Sequence, residues 1–411
     1  MLTVDLDGLA SALRASPGLP AVPRIVCSGN LATPLRTLAA LDQVWPEYAL
    51  YAINAPRGLP TRERVTFETS FVGPGMRHSP GLRYLPARLS LVPRLFATTL
   101  PPDVVVLHTS LPRDGSVSMG TEVNVLPAAV EAAKARGGVV VVQMNPQMPF
   151  TFGDGVLGLD RIDYAVEVDE PLPVATAAPM DDEGAAIGAL VAGRVADGST
   201  LQLGIGAVPD AVLHGLLQRR GLRIWSEMFS DGVLALERSG CLDSSVPITS
   251  SFLFGSPELY AWVDRNHRVV MRRTEVTNEP GVIAQQPLMT SVNTALAVDL
   301  FAQANASRIR SRIFSGLGGQ TDFIVGALHA RGGQALMALR SWHPKADVST
   351  IIPLIDEPVT SIQPTAVVTE QGIAPIWGHD EKTQAKHLIE QAAHPRIREE
   401  LWEEAAGLGL A

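Results

Sequence analysis

Four stretches of this chain carry residue types that can do chemistry. The first is Gly204-Ile205-Gly206-Ala207-Val208-Pro209, which follows an apolar run and opens a helical pattern. Small residues let the backbone approach a ligand, and the free N–H groups of a helix start attract anions. The same residues also fit a tight strand-to-helix turn with no ligand at all. The second is Ile224-Trp225-Ser226-Glu227-Met228-Phe229-Ser230-Asp231-Gly232, read as a short apolar strand ending in a glutamate between large apolar neighbours. Ligands of parallel sheets gather at strand C-termini. A carboxylate there is partly desolvated, which raises its pKa and, where it stays ionised, its nucleophilicity. A local cap or salt bridge is the competing role for Glu227, and Asp231-Gly232 reads as a turn.

The third stretch is Phe314-Ser315-Gly316-Leu317-Gly318-Gly319-Gln320-Thr321-Asp322-Phe323. Its three glycines permit backbone angles that turn N–H groups to one side, a nest for an oxyanion or a pyrophosphate. A plain flexible turn fits the same residues. The fourth is Val367-Val368-Thr369-Glu370-Gln371-Gly372-Ile373-Ala374, a strand-end carboxylate followed by glycine, in which Thr369 or Glu370 also suits a helix N-cap.

Other chemistries lack their signatures. The nine histidines show no H-E-x-x-H and no paired Cys/His spacing, so no metal site is expected. There is no Walker A loop and no G-x-S-x-G elbow, and the glycine loops do not match a dinucleotide fingerprint. A net charge of −9 argues against nucleic acid as a partner, because phosphate backbones need a basic face.

The elements that would position these groups follow from length and patterning. A chain of 411 residues exceeds one ordinary core, so two or three domains are expected. Short apolar runs at Arg24 to Cys27, Val104 to His108, Val139 to Met144, Thr200 to Leu203 and Arg268 to Met271 read as buried parallel strands. Helical patterns fall between them, at Glu122 to Ala135 with Gly137-Gly138 as a stop, and at Asp181 to Ala196. Alternating strands and helices predict an α/β fold with a mainly parallel sheet. The Pro- and Ala-rich stretch from Glu170 to Pro179 reads as the linker between two α/β domains. A short internal repeat, Gly29-Asn30-Leu31-Ala32-Thr33-Pro34 against Gly204 to Pro209, hints at related halves, each with Pro opening a helix. Two cysteines, Cys27 and Cys241, make no disulfide framework and point to a reducing compartment. The N-terminal residues lack the apolar core of a signal peptide, and no apolar run approaches membrane-spanning length, so a cytoplasmic protein with no membrane partner is expected.

Taken together, in order and spacing, these stretches resemble the acetyl-CoA hydrolase/transferase family of class I CoA-transferases. The resemblance runs from about residue 25 to about residue 402. It includes Asp114 to Gly120, Asn145 to Asp154, Ser226-Glu227-Met228, Ser291 to Ala295, Gly318 to Phe323, and the tail His394-Pro395 with Arg398 and Leu401. It implies two similar open α/β domains with mainly parallel sheets, residues 1–175 and 176–411, with the active site between them. It implies that Glu227 is the catalytic glutamate and Glu370 a second active-site carboxylate. Coenzyme A contacts are then expected at Gly204, Gly206, Ala207, Asn293, Gly316, Gly318, Gly319 and Gln320. The implied activity is transfer of CoA between a short-chain acyl-CoA and a carboxylate such as acetate, through a glutamyl anhydride and a glutamyl-CoA thioester. The alternatives are hydrolysis of acyl-CoA by the same glutamate and CoA binding without catalysis. CoA enters as substrate, no cofactor is bound permanently, and a homodimer or larger homo-oligomer is expected. Trp225 stands where the family commonly has His, and Ile376-Trp377-Gly378 where it commonly has Leu-Arg-Gly; both bear on acyl preference and CoA contacts.

Overall fold

The computed structural model describes residues 1–16, 18–175, 180–204 and 206–411. Residues 176–179 of the expected linker, and Ile205 of the glycine loop, lie outside the described residues. The chain folds into two compact units. The first holds Met1–Ala175 and two returning segments, Ile248–Thr277 and Ile313–Gly318. The second holds Thr176–Pro247, Asn278–Arg312 and Gly319–Ala411.

In the first unit the main sheet comprises β1 (Leu2–Thr3), β2 (Arg24–Cys27), β3 (Tyr48–Tyr51), β4 (Val65–Thr69), β5 (Leu82–Tyr84), β6 (Val104–Thr109), β7 (Val139–Met144) and β8 (Tyr164–Glu167). They lie in the order β1-β8-β7-β6-β2-β3-β4-β5, and all the pairings are parallel. The unbroken Val104-Val105-Val106-Leu107 run is wholly buried, as a strand covered on both faces must be. One face packs Ile25, Leu50, Phe67 and Val106 against Leu9 and Leu13 of α1 (Leu6–Ala15) and Leu38 and Leu41 of α2 (Leu35–Leu41).

Two expectations are corrected here. The helix read from Glu122 starts only at Leu126, as α3 (Leu126–Ala135), with Pro127 in its first turn. Glu122 is drawn inward instead, where its carboxylate accepts from the side-chain amides of Asn30 (2.7 Å) and Asn124 (3.3 Å). The run at Arg268 is a strand from Val269 to Met271, but it pairs with Ile248–Ser250 and Phe152–Gly153 in a small separate sheet. Strand propensity is local, whereas the choice of sheet depends on where the returning segment lands.

The second unit is built on β9 (Thr200–Leu203), β10 (Arg223–Ile224), β11 (Thr290–Asn293), β12 (Gln334–Ala338), β13 (Ala366–Thr369) and β14 (Gly372–Pro375). The order is β10-β9-β11-β12-β13-β14, parallel up to β13, with β14 antiparallel at the edge. Its core gathers Met337, Val367, Phe323, Ile324 and Leu401. Helix α4 (Asp182–Arg194) is capped by Asp181, which accepts from the Gly184 N–H, and it packs on α5 (Ala207–Gly215).

Three further local expectations change. Asp231-Gly232 is no turn but the start of α6 (Asp231–Arg238), because Val233, Leu234 and Leu236 bury a helical face. The two repeat prolines differ in place: Pro34 precedes α2, and Pro209 is the third residue of α5. Both avoid the need for an N–H, since no carbonyl waits for one in the first turn. Neither Thr369 nor Glu370 caps a helix; the chain turns there into β14, and the Thr369 hydroxyl donates to the Ala392 carbonyl.

Candidate active site

In a parallel sheet the carboxyl ends of the strands form a crest where side chains and loop backbones converge. The crest of the second unit gathers many of the residues singled out from the sequence. Gly204 follows β9, Glu227 lies three residues beyond β10, Asn293 ends β11, and Glu370 follows β13. Trp225 N–H donates to the Leu201 carbonyl (3.1 Å) and the Ser226 hydroxyl to the Leu203 carbonyl (3.2 Å). These two bonds hold the segment carrying Glu227 along the end of β9.

Glu227 is the most perturbed carboxylate on this crest. Its Oε2 accepts from Asn278 Nδ2 at 2.7 Å. A Cβ at Gly319 would collide with that same Oε2 and with Asn278 Nδ2, so only glycine lets the backbone come this close. Burial pushes the Glu227 pKa from 4.5 up to about 7; the Asn278 hydrogen bond opposes the shift and the negative charge of Asp322 adds to it. Asp322 is itself buried, in the first turn of α7 (Gln320–His329), the helix that Gly319 precedes. Glu227 is therefore a carboxylate poised between its two protonation states near neutral pH. That is a fitting state for a nucleophile that must be ionised yet poorly solvated.

Other expected site residues fall as follows. Gly206 precedes α5 with a φ of +115°, and Ala207 is its first residue. Gly204 borders a small, mostly apolar cavity of about 10 Å³ with Leu203, Ser226 and Met228. Gln320 opens α7, and its side-chain amide lies 3.5 Å from Met337 Sδ. Asn293 Nδ2 donates to Ser291 Oγ (2.8 Å) and lies 3.3 Å from Gln202 Oε1. Gly316 and Gly318 belong to the first unit. Gly316 bridges to Phe71 there, and Gly318, with φ +56°, accepts the Leu89 N–H through its carbonyl.

Glu370 has partners of its own. The Ser341 N–H donates to its carboxylate at 2.9 Å, joined by the Ser341 hydroxyl and by Gln371 Nε2 at 3.0 Å. Burial alone would raise its pKa, but these donors outweigh burial and hold it below the ordinary range. Gly319 lies against Glu227, whereas Glu370 follows β13 and is held by Ser341 and Gln371.

Sequence reasoning missed Asn278. It lies just after a four-residue helix, Thr274–Thr277, in a segment with no motif, and it touches Glu227 across 51 positions of sequence. It also gave no role to Gln202 or Asp322, although Asp322 lay within a quoted motif. Trp225, at a position where the family pattern differs, packs against the apolar core of the second unit. Trp377 is 60% exposed. Among the described residues, no cluster of His, Cys, Asp and Glu side chains is placed to hold a metal ion. Both cysteines are free and buried, and no described helix is long and apolar enough to cross a membrane.

Known proteins resemble this chain over most of its length. Residues 68–177 match the acetyl-CoA hydrolase/transferase N-terminal domain, and residues 255–405 its C-terminal domain. A 4-hydroxybutyrate coenzyme A transferase of Clostridium kluyveri is 38% identical over 333 residues, spanning 78% of this chain and 76% of that protein. Among solved structures, a 4-hydroxybutyrate CoA-transferase from Porphyromonas gingivalis superimposes with a TM-score of 0.81 at 30% identity, covering 99% of this chain and 98% of that one. RipA from Yersinia pestis superimposes with a TM-score of 0.90 at 25% identity, covering 100% and 98%. A carboxylate poised near neutral pH on the crest of an α/β unit, the motif order along the chain and both domain matches lead to one assignment: this chain belongs to the acetyl-CoA hydrolase/transferase family.

Proposed function

We propose that this protein moves coenzyme A from a short-chain acyl-CoA to a carboxylic acid, with Glu227 as the nucleophile. The observation that carries this reading is the Glu227 carboxylate, held by Asn278 Nδ2 at 2.7 Å against the bare α-carbon of Gly319. A carboxylate in water attacks a thioester slowly. Held in line at a few ångströms, the same pair gains an effective concentration worth about 7–11 kcal/mol of barrier.

The steps balance as follows. Glu227 attacks the thioester carbonyl, the C–S bond breaks, and CoA leaves as a thiolate, giving an acyl-glutamyl anhydride. The thiolate attacks the glutamyl carbonyl of that anhydride and expels the first carboxylate, leaving a glutamyl-CoA thioester. The acceptor carboxylate attacks this thioester and forms a second anhydride with release of thiolate. The thiolate then attacks the acceptor's acyl carbon, which frees Glu227 and the new acyl-CoA. Each tetrahedral intermediate places negative charge on oxygen. Asn278 Nδ2 lies beside the reacting carboxylate as a donor, and one such donor typically contributes about 2.7–4 kcal/mol. CoA groups remote from the thioester supply binding energy that aligns it.

The carbonyl chemistry requires an ionised Glu227, so its raised pKa sets the pH dependence. Below about pH 7 the nucleophile is protonated. The value of kcat/KM for acyl-CoA is expected to rise about tenfold per pH unit at the acid end and level off above an apparent pKa near 7. A profile flat from pH 5 to 8 would contradict the assignment of Glu227.

The experiment that tests the function measures thiol release beside formation of new thioester, at matched acetyl-CoA, with and without a short carboxylate acceptor. Transfer predicts new thioester in excess of free thiol, and parallel double-reciprocal lines when donor and acceptor are varied. Equal thiol release with and without acceptor, and no new thioester, would make the protein a hydrolase that uses the same glutamate.

A further inference from the structure

The sheet of the second unit reverses its winding between β9 and β11. From β9 the chain moves outward to β10, then crosses back to β11 on the other side of β9. Ligands of open α/β sheets bind at the carboxyl ends of the two strands that flank such a reversal. At this point Gln202 of β9 stands directly opposite Ser291 of β11, and Asn293 lies two residues further along the same face.

These three side chains form a small closed network. The Ser291 hydroxyl donates to Gln202 Oε1 at 2.7 Å and accepts from Asn293 Nδ2 at 2.8 Å; Asn293 Nδ2 also lies 3.3 Å from Gln202 Oε1. The network uses Gln202 Oε1 and Asn293 Nδ2, and leaves over Gln202 Nε2 as donor and Asn293 Oδ1 as acceptor. Neither leftover atom has a partner among the described residues, nor is it sealed away as a buried orphan. Reversing both amides exchanges the labels but still leaves one donor and one acceptor, because Ser291 has a single proton to give. A neighbouring donor and acceptor on a crest match a secondary amide, whose C=O and N–H need one of each.

We propose that Gln202 and Asn293 form a clamp for the pantetheine amide nearest the thiol of coenzyme A, with Ser291 locking the two side chains in place. This rests on the reading of the protein as a CoA-transferase and assigns a binding role to Gln202. The clamp lies one to two strand spacings from the end of β10, about 5–10 Å, and Glu227 follows β10. In CoA that amide is two methylene groups from the sulfur. The clamp holds the acyl carbon in register with Glu227 and distinguishes a pantetheine thioester from a plain alkyl one.

The test compares kcat/KM for two acetyl thioesters in the wild type and in Gln202→Met, which keeps the length of the side chain. One thioester is of N-acetylcysteamine, which retains the amide; the other is of an unbranched alkanethiol of equal chain length. The wild type is expected to prefer the amide by about tenfold, and the variant to lose most of that preference. Asn293→Ser removes the other arm and is expected to give the same loss, which keeps the test decisive if Gln202→Met does not fold. Calorimetric binding of free pantetheine provides a readout without turnover, with affinity expected to drop about tenfold in either variant. A parallel fall with both thioesters, or unchanged pantetheine affinity, overturns the clamp. Failure of the transferase reading registers separately, as equal thiol release with and without a carboxylate acceptor and no new thioester from wild-type protein given acetyl-CoA.

Discussion

Glu227→Gln is expected to lower CoA transfer by about 10³-fold or more while leaving the fold and CoA binding in place. The amide is nearly the same shape and still offers an oxygen to Asn278 Nδ2, which the wild-type carboxylate meets at 2.7 Å. It has no anionic oxygen with which to form the anhydride. The variant also has a stability signature. The folded-state pKa of Glu227 is raised to about 7 from an ordinary 4.5, so folding favours the protonated form. That contribution is fully present below about pH 4.5 and is lost as pH rises through 7. Glutamine is neutral throughout, so above pH 7 the variant is expected to exceed the wild type in stability by up to about 3 kcal/mol. Thermal unfolding at pH 5 and pH 8, run beside the transfer assay, checks both halves. A mass spectrum taken after the assay excludes deamidation back to Glu. Substantial residual transfer would remove Glu227 from its role. A stability difference that shrinks with rising pH would mean that burial does not raise this carboxylate.

Gly319→Ala is expected to cut activity by about 10²-fold or more at little cost in stability. The added methyl would strike Glu227 Oε2 and Asn278 Nδ2. Both atoms are the tips of side chains that can swing aside, so the fold yields cheaply. The Glu227 carboxylate, the proposed nucleophile, moves when they do, and its bond to Asn278 is broken or lengthened. An ångström of displacement at the reacting atoms is costly, because alignment supplies much of the rate. The φ of Gly319 is −98°, so alanine brings no backbone strain and the effect isolates the collision. Gly318 makes a useful contrast. Its φ of +56° strains any residue with a Cβ, so Gly318→Val is expected to lower thermal stability as well as activity. If Gly319→Ala loses stability and activity in step, the glycine serves packing alone.

Much of the α/β architecture could be read in advance, and the reason is local. Val104 to His108, Val139 to Met144 and Thr200 to Leu203 are mostly apolar runs without alternation. Such runs have few alternatives to a strand buried on both faces. The acidic residues Asp181, Asp182 and Glu183 announced their helix, since the dipole favours them at its start, and Asp181 proves to cap it. The misreadings have local signals that were outweighed. Asp231-Gly232 carries a turn signature, yet the burial of Val233, Leu234 and Leu236 outweighs it. Glu122 suits a helix, yet it is held inside by Asn30, which is 92 positions away in sequence.

The residues of the candidate site divide in the same way. Glu227 stood out in the sequence as a candidate because it follows a short strand among apolar residues, and the resemblance of the motif around it to a family pattern gave it a role that the local pattern left open. The glycine of close approach lay within a run of three, but only the fold distinguishes Gly319, which lies against the carboxylate, from Gly316 and Gly318, which pair with residues of the first unit. Asn278 and Gln202 carried no signal. Each takes its meaning from a partner 51 or 89 positions away, Glu227 for one and Ser291 for the other. The sequence by itself determined most strand and helix types and the mainly parallel sheets, and it singled out Glu227 as a candidate, because periodicity, caps and flanking polarity act over a few neighbouring residues. The tertiary structure alone decided which strands are neighbours, which side chains meet on the crest and how far burial raises Glu227. Strand order and desolvation arise from contacts between distant parts of the chain, and no short-range pattern encodes them.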